Sequence, residues 1–425
     1  MTVLDRAARR ERWVPAPRPD WLAKVNAEGA CFNLNEVVPL DARSLLETAV
    51  AGTGLDDFGA DGWREPFHIL TKALDEESGL TLMGRLMTRA QLLVLLEARL
   101  RIEDTYKRHP EIDDEIITAP LMIVGQGRTG TSVLQGLLAA DPCNGTTRTW
   151  EVTYPCPPPE ADTYDTDPRI AQADGLVQQY HRCAPEVASM HTFGGWEPTE
   201  CVHTQGLDFR SGPWFDTIVG QVPSYTAYMA GQDITEGYRY EKRLLKLLQW
   251  RNPRRTWVLK SPFALTHLPS VLEVYPDAGI VWTHRDPVKA LASMVNLIGT
   301  LQWIRSDHPF IGDSVSMFTR SDLSAAMMTQ PISWLESGAL PAERLCNVHY
   351  ADFVKDPMGV VAQIYRAFDL ELSPDSRDAM QNYMDRNQRS GHPAHDYDLG
   401  SDHEVQLERQ AFMRYQTYFD VKDEI

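Results

Sequence analysis

The 425-residue sequence lacks several features that would assign it to a familiar class. Its six cysteines form no Cys-x-x-Cys pair, so their spacing predicts neither a zinc site nor a disulfide framework. No apolar run approaches the ~20 residues needed to cross a bilayer, and residues 1–17 carry charges without the apolar core of a secretory signal. We therefore expect a cytoplasmic protein with reduced thiols and no integral membrane segment.

Positive charge is also scarce, because 41 Lys and Arg residues face 59 Asp and Glu residues and the formal net charge is −18. A surface this acidic repels the phosphate backbone of DNA or RNA, so we expect no nucleic-acid partner. A few Arg and Lys side chains in a cleft can still bind a compact anion such as a nucleotide. The sequence carries no signal of oligomeric state.

Short apolar runs alternate with amphipathic segments in much of the chain. The runs lie at residues 121–124, 256–259, 280–283 and 345–349, and a segment with helical spacing of apolar residues follows each. This alternation predicts an α/β fold in which helices cover both faces of a parallel sheet.

The periodicity also suggests a division of the chain. Residues 1–115 have mainly helical spacing, so we predict a helical N-terminal region followed by an α/β domain at residues 116–425. The domain carries an insert at about residues 144–253 that is rich in Trp, Tyr, His and Pro. Long inserts of this kind shape pockets, and we expect this helical and aromatic insert to lie over the active site.

The strongest motif is Gly-Gln-Gly-Arg-Thr-Gly-Thr-Ser at residues 125–132, between a predicted strand and a predicted helix. Glycines let backbone N–H groups turn toward an anion, and the helix N terminus adds partial positive charge. The loop is P-loop-like, but Thr131 stands where a kinase or ATPase has Lys, and Arg128 supplies the charge instead. A phosphate cradle is predicted. A P-loop kinase-like enzyme and a nucleotide-binding regulatory module remain the alternatives.

Two further motifs follow predicted strands. Lys260 comes directly after the strand at residues 256–259, and Arg285 comes shortly after the strand at residues 280–283. Ligands of open α/β sheets bind outside the carboxyl ends of the strands. Ser293 lies two helical turns beyond Arg285, so these two side chains could clamp a second phosphate.

Together these motifs resemble those of sulfotransferases that use 3′-phosphoadenosine-5′-phosphosulfate (PAPS). The likeness is greatest to the bacterial group with Arg in the 5′-phosphosulfate loop, which is related to tyrosylprotein sulfotransferases. The resemblance implies that Arg285 and Ser293 hold the 3′-phosphate, that Arg389 closes over the nucleotide, and that Lys260 stabilises charge on the bridging oxygen. It implies PAPS as co-substrate, adenosine 3′,5′-bisphosphate as product and no metal. The loop residues that it implies for the 5′-phosphosulfate are Gly127, Arg128, Thr129, Gly130, Thr131 and Ser132.

The predicted reaction moves the sulfonate of PAPS by in-line displacement to a hydroxyl of a small, apolar, aromatic or lipid-like acceptor. Arg128 and Lys260 would stabilise the developing charge, and a base must take the hydroxyl proton. Glu151 is the first candidate, because several sulfotransferases use a glutamate at a comparable distance beyond the loop. His191 is the second candidate. The remaining alternatives for the base are Glu197 and Glu200.

Overall fold

The computed structural model describes residues 8–311, 315–387 and 398–425. Within these residues the strands form one five-stranded sheet in the order β2-β3-β1-β4-β5, and every neighbouring pair is parallel. The prediction of a parallel sheet flanked by helices is therefore confirmed. The strands are β1 (Leu121–Val124), β2 (Asn144–Gly145), β3 (Thr256–Lys260), β4 (Gly279–His284) and β5 (Leu345–His349).

Helices precede the sheet, fill the insert and connect the strands. Before β1 they are α1 (Ala8–Arg12), α2 (Asp20–Gly29), α3 (Leu34–Val37), α4 (Ala42–Thr53), α5 (Arg64–Glu76) and α6 (Leu82–Arg108). Between β1 and β3 they are α7 (Thr131–Leu138), α8 (Thr149–Thr153), α9 (Pro168–Cys183), α10 (Val187–Met190), α11 (Cys201–Gly206), α12 (Gly212–Trp214), α13 (Pro223–Ala230) and α14 (Thr235–Gln249). After β3 they are α15 (Leu268–Val274), α16 (Pro287–Trp303), α17 (Ser316–Thr319), α18 (Ser321–Ser337), α19 (Tyr350–Lys355), α20 (Pro357–Ala367), α21 (Pro374–Arg386) and α22 (Asp402–Phe419).

Four strands coincide with the apolar runs. The strands β1, β3 and β4 are buried along their whole length, which favours apolar side chains on both faces, whereas the edge strand β5 alternates between buried and partly exposed residues. In β1, Leu121 and Ile123 pack against helices on one face, whereas Met122 and Val124 pack into the cluster on the other face. The short strand β2 was not predicted. Its two residues are polar Asn144 and Gly145, and they contain no apolar run that could mark a strand.

The helical N-terminal region packs on one face of this sheet. The longest helix of this region, α6, begins at the N-cap Thr81, whose side chain accepts a hydrogen bond from the Gly84 amide at 3.1 Å. Its buried Leu92 and Leu96 belong to the same apolar cluster as the sheet residue Met122. Burial of each such side chain contributes roughly 1.5–3 kcal/mol. The proposed boundary at residue 115 stays a prediction.

Parallel pairing places the three predicted motifs at one edge of the sheet. The register sets Ile123 of β1 beside Lys260 of β3, and Val124 of β1 beside Trp282 of β4. The strands therefore end together, and the loop after β1 lies between Lys260 and Arg285. Within the described residues, no helix combines the length and the apolar composition that a membrane span requires.

Candidate active site

The loop after β1 turns into α7 through residues in the left-handed region. Arg128 has φ 74° and Gly130 has φ 90°. Gly130 is the N-cap of α7, and among the described residues no side chain caps this end of the helix. Uncapped N–H groups at a helix N terminus attract an anion. The geometry is therefore that of a phosphate cradle.

Side chains from other elements fix the shape of the loop. The Thr129 hydroxyl donates to the carbonyl oxygen of Gln126 at 2.7 Å and lies 2.6 Å from the hydroxyl of Thr283 on β4. A Cβ at position 127 would lie 2.5 Å from the sulfur of Met294, so the Met294 side chain would have to move to accept any residue other than glycine. The glycine predicted to line the cradle thus lets the loop pack closely on α16.

Arg128 brings together residues that are far apart in the sequence. Its Nε donates to the Ser293 hydroxyl at 3.0 Å, and its Nη1 donates to the Met190 carbonyl oxygen at 2.5 Å. Its own carbonyl oxygen accepts a hydrogen bond from Arg285 Nη1 at 2.9 Å. The structure therefore brings together three of the predicted anion-binding residues, Arg128, Arg285 and Ser293.

The guanidinium of Arg285 already holds an oxyanion. Its Nε and Nη2 donate to the two carboxylate oxygens of Glu424 at 2.9 and 3.0 Å. Lys289 Nζ lies 3.1 Å from the same carboxylate, and the ring of Tyr350 supports the guanidinium with 4.0 Å between the ring centroid and Cζ. Phosphate oxygens are bound by Arg in the same two-point geometry.

An ion pair between the buried Lys260 and the partly exposed Glu200 lies on the other side of the loop. Lys260 is 2% exposed, and its Nζ donates to the Ser132 hydroxyl at 3.1 Å and to Glu200 Oε1 at 2.5 Å. Burial would raise the pKa of Glu200, but the charge of Lys260 and its hydrogen bond lower this pKa below its usual value. Glu200 is therefore ionised at neutral pH.

His191 lies in the same charged environment. Burial, with a smaller contribution from the charge of Lys260, lowers the pKa of His191 to about 3. The imidazole is therefore neutral at neutral pH. The nearby cations oppose its protonation.

The structure does not place Glu151 beside Lys260, Glu200 and His191. The Glu151 carboxylate accepts hydrogen bonds from the Arg148 backbone amide at 2.9 Å and from the Tyr164 hydroxyl at 3.0 Å. Burial raises its pKa, and it does not line the two cavities described next. These contacts belong to the first turn of α8 and stabilise the fold locally.

Two cavities meet beside the ion pair. The inner cavity lies between the loop and α16 and continues to Phe263 and Phe318, whereas the outer cavity lies between α6 and α9. Glu197, another predicted candidate, lines only the outer one of the two. All six residues shared by the two cavities belong to the insert, which therefore lies over the site as predicted: His191, Phe193, Glu200, His203, Trp214 and Ile218.

His203 is a cavity residue that the sequence analysis missed. Its ring packs on Trp214 with 4.9 Å between the centroids, and its buried Nδ1 has no hydrogen-bond partner among the described residues. Burial lowers its pKa to about 4. In the sequence, His203 lies one helical turn after Glu200, so the two side chains are expected on the same face of a helix. This spacing identifies His203 as a neighbour of Glu200 once Glu200 is placed at the site.

Two further predictions stay untested. Arg389 lies outside the described residues, so its role at the nucleotide stays a prediction. Within the described ranges, no group of three or more His, Cys, Asp or Glu side chains could hold a metal ion. The expectation that the reaction needs no metal likewise stays a prediction.

Comparison with known proteins identifies the family. The sequence profile of the sulfotransferase family matches residues 120–374, which include the loop, Lys260, Glu200 and Arg285. The chain belongs to the sulfotransferase family. The predicted relationship to tyrosylprotein sulfotransferases is not tested by these comparisons.

Two mycobacterial crystal structures are similar to this sulfotransferase along most of the chain. Sulfotransferase STF1 from Mycobacterium tuberculosis H37Rv is 31% identical, with a TM-score of 0.74, and the match covers 87% of this chain and 98% of STF1. Sulfotransferase STF9 from Mycobacterium avium is 26% identical, with a TM-score of 0.74, and the match covers 90% of this chain and 98% of STF9.

A more distant relative has a named substrate. Omega-hydroxy-beta-dihydromenaquinone-9 sulfotransferase Stf3 from Mycobacterium bovis is 23% identical over 265 residues, which is 59% of this chain. The match spans 63% of the length of that relative.

Proposed function

We propose that this sulfotransferase moves the sulfonate of PAPS to the hydroxyl of an apolar, lipid-like acceptor. One observation carries the proposal: the loop residue Ser132 and Glu200 both line the inner cavity, and the buried Lys260 ammonium donates a hydrogen bond to each of them. Lys260 can therefore stabilise charge on the departing oxygen next to the point where the Glu200 carboxylate can accept the proton of the attacking hydroxyl. Sulfonate transfer demands this arrangement, as phosphoryl transfer does.

The donor would bind along the loop. Residues 127–132 offer the N terminus of α7 and the Arg128 guanidinium to the 5′-phosphosulfate. Arg285 and Ser293 would hold the 3′-phosphate. The two-point contact of Arg285 with the Glu424 carboxylate supports this role, because phosphate and carboxylate oxygens suit the same guanidinium edge.

We assign the base to Glu200 in preference to Glu151 and His191. When Glu200 accepts the hydroxyl proton it becomes neutral, and the Lys260 ammonium is released to stabilise the departing phosphate oxygen. The hydroxyl oxygen forms its bond to sulfur as the bond from sulfur to that phosphate oxygen breaks, and the phosphate keeps the electron pair. His191 would instead gain a positive charge close to Lys260, which the pKa of about 3 disfavours.

Selective nucleotide binding tests the donor assignment. Adenosine 3′,5′-bisphosphate at about 100 times its Kd should stabilise the protein by ~2.7 kcal/mol and raise the melting temperature by several degrees. Arg285→Ala should abolish most of this shift. Arg239→Ala, which removes a half-exposed arginine on α14, should leave it intact. Stabilisation by ADP with Mg²⁺ alone would contradict the proposal and favour a kinase-like enzyme.

The inner cavity supports an apolar acceptor. Apart from the residues of the loop and of the insert, its walls are built from apolar residues: Pro262, Phe263, Met294, Leu297, Ile298, Leu301 and Phe318. Apolar cavities with a few convergent polar groups bind apolar ligands in a fixed orientation. The relative named for a hydroxylated dihydromenaquinone acts on a lipid-like alcohol, which supports the same class here.

Narrowing the inner cavity should change acceptor use without changing donor binding. Leu297→Trp is expected to lower kcat/KM for long or bulky alcohols by about tenfold or more, since one lost pocket position costs roughly 1–3 kcal/mol. Steady-state kinetics with alcohols of increasing size measures this. Leu323→Trp, at an exposed position on α18, is the control. Equal effects on small and large alcohols would contradict this acceptor site.

A further inference from the structure

The chain segment that follows α22 is anchored where Arg285 leaves the sheet. The backbone amide of Glu424 donates to Asp286 Oδ2 at 2.7 Å, and Arg409 of α22 donates to the same oxygen at 3.2 Å. Asp286 also caps α16 by accepting a hydrogen bond from the Val288 amide at 3.0 Å. One buried carboxylate therefore ties this segment to the start of α16.

This anchoring places the Glu424 side chain beside two cationic side chains, Arg285 and Lys289. Arg285 binds both of its carboxylate oxygens and Lys289 binds one of them, while 29% of the Glu424 side chain stays exposed. Partial burial would raise the pKa of Glu424, but the hydrogen bond and charge of Arg285, together with Lys289, lower it. The side chain is thus an ionised oxyanion at neutral pH, bound as a phosphate would be.

We propose that Glu424 is an internal competitor for the 3′-phosphate at Arg285, which a nucleotide must displace in order to bind fully. The inference rests on the proposed function, because that function assigns the 3′-phosphate to Arg285. A dianionic phosphate outcompetes one carboxylate at a guanidinium, so the nucleotide still binds. After sulfonate transfer, the return of Glu424 to Arg285 promotes release of adenosine 3′,5′-bisphosphate.

The proposal predicts a selective gain of affinity. Glu424→Gln keeps the shape of the side chain but removes its charge. The affinity for adenosine 3′,5′-bisphosphate should rise about fivefold, the scale of a partly exposed ion pair. The affinity for adenosine 5′-phosphate, which lacks the 3′-phosphate, should not change. Calorimetric titration of both nucleotides measures this. The control is Asp420→Asn, which neutralises a carboxylate of the same segment that pairs with Lys422.

The kinetic consequence is testable in the same variants. Inhibition by adenosine 3′,5′-bisphosphate should strengthen in Glu424→Gln by the same factor as the affinity. In Arg285→Ala, adding Glu424→Gln should have no further effect, because the group for which the two anions compete is gone.

The possible outcomes separate the two proposals. If Glu424→Gln binds adenosine 3′,5′-bisphosphate no more tightly than the wild-type chain while Arg285→Ala still loses affinity, the competitor role is wrong and the proposed function stands. An equal gain for both nucleotides would also overturn it, because competition concerns the 3′-phosphate alone. If neither the wild-type chain nor any variant binds the bisphosphate, the proposed function itself fails.

Discussion

Lys260→Met is expected to lower kcat by about 10²–10³-fold, the loss measured when one preorganised charge-stabilising donor is removed. Lys260 is 2% exposed and its Nζ contacts both Ser132 of the loop and Glu200, so no water can replace it easily. Methionine keeps most of the volume, so the cavity walls should stay in place. Steady-state kinetics with PAPS and a long-chain alcohol measures the loss.

Two controls accompany this variant. Lys242→Met replaces a partly buried lysine of α14 that donates to the Val274 carbonyl oxygen and lines neither cavity, and it should keep full kcat. Titration with adenosine 3′,5′-bisphosphate should show that Lys260→Met still binds nucleotide. Unchanged turnover in Lys260→Met would remove this residue from the reaction.

Glu200→Gln is expected to lower kcat by about 10²–10⁴-fold, because a positioned general base contributes rate enhancement of this size. Glu151→Gln should instead keep most of kcat and lower the melting temperature, since the Glu151 carboxylate holds the Arg148 amide and the Tyr164 hydroxyl in a buried turn. Kinetics and thermal melting of both variants measure the contrast. A large loss of kcat in Glu151→Gln with normal turnover in Glu200→Gln would reverse the assignment.

The same assignment fixes the direction of the pH dependence. Glu200 must be ionised to act as a base, so kcat/KM should rise with pH through the pKa of Glu200 and stay level above it. Burial alone would raise this pKa, but Lys260 lowers it below the usual glutamate value. In Lys260→Met the acid limb should therefore move to higher pH. Residual activity measured across acidic pH tests this, and an acid limb at the same pH in both proteins would contradict it.

The sequence predicted those parts of the site that depend on local pattern. The apolar runs identified β1, β3, β4 and β5. The first three are buried on both faces, which favours apolar residues along the strand, whereas β5 is a partly buried edge strand. Parallel pairing then made the loop, Lys260 and Arg285 neighbours at one edge. These predictions needed no knowledge of side-chain direction.

The proposed choice of Glu200 as the base depends on side-chain direction, which the sequence does not specify. Segments near Glu151 and Glu200 lie side by side, since the Thr149 amide donates to the Glu197 carbonyl oxygen at 3.0 Å. Yet Glu151 turns into a buried helix start, whereas Glu200 turns to Lys260. Sequence distance from the loop does not distinguish these two orientations.

The contact between Glu424 and Arg285 was equally hidden. It joins residues 139 positions apart, and the approach depends on how α22 packs and on Asp286 as an anchor. Glu424 lies beyond the last predicted helix, and no motif or periodicity around it indicates a contact with Arg285. Long-range polar contacts of this kind become visible only in the folded structure.

Transfer of labelled sulfonate from PAPS to a long-chain alcohol tests the central claim most directly. The wild-type chain should form the sulfate ester of the alcohol and release adenosine 3′,5′-bisphosphate in equal amounts, and Lys260→Met and Glu200→Gln should lose both products together. Undiminished ester formation in both variants would contradict the account, as would phosphate transfer from ATP to the same alcohol without any sulfonate transfer.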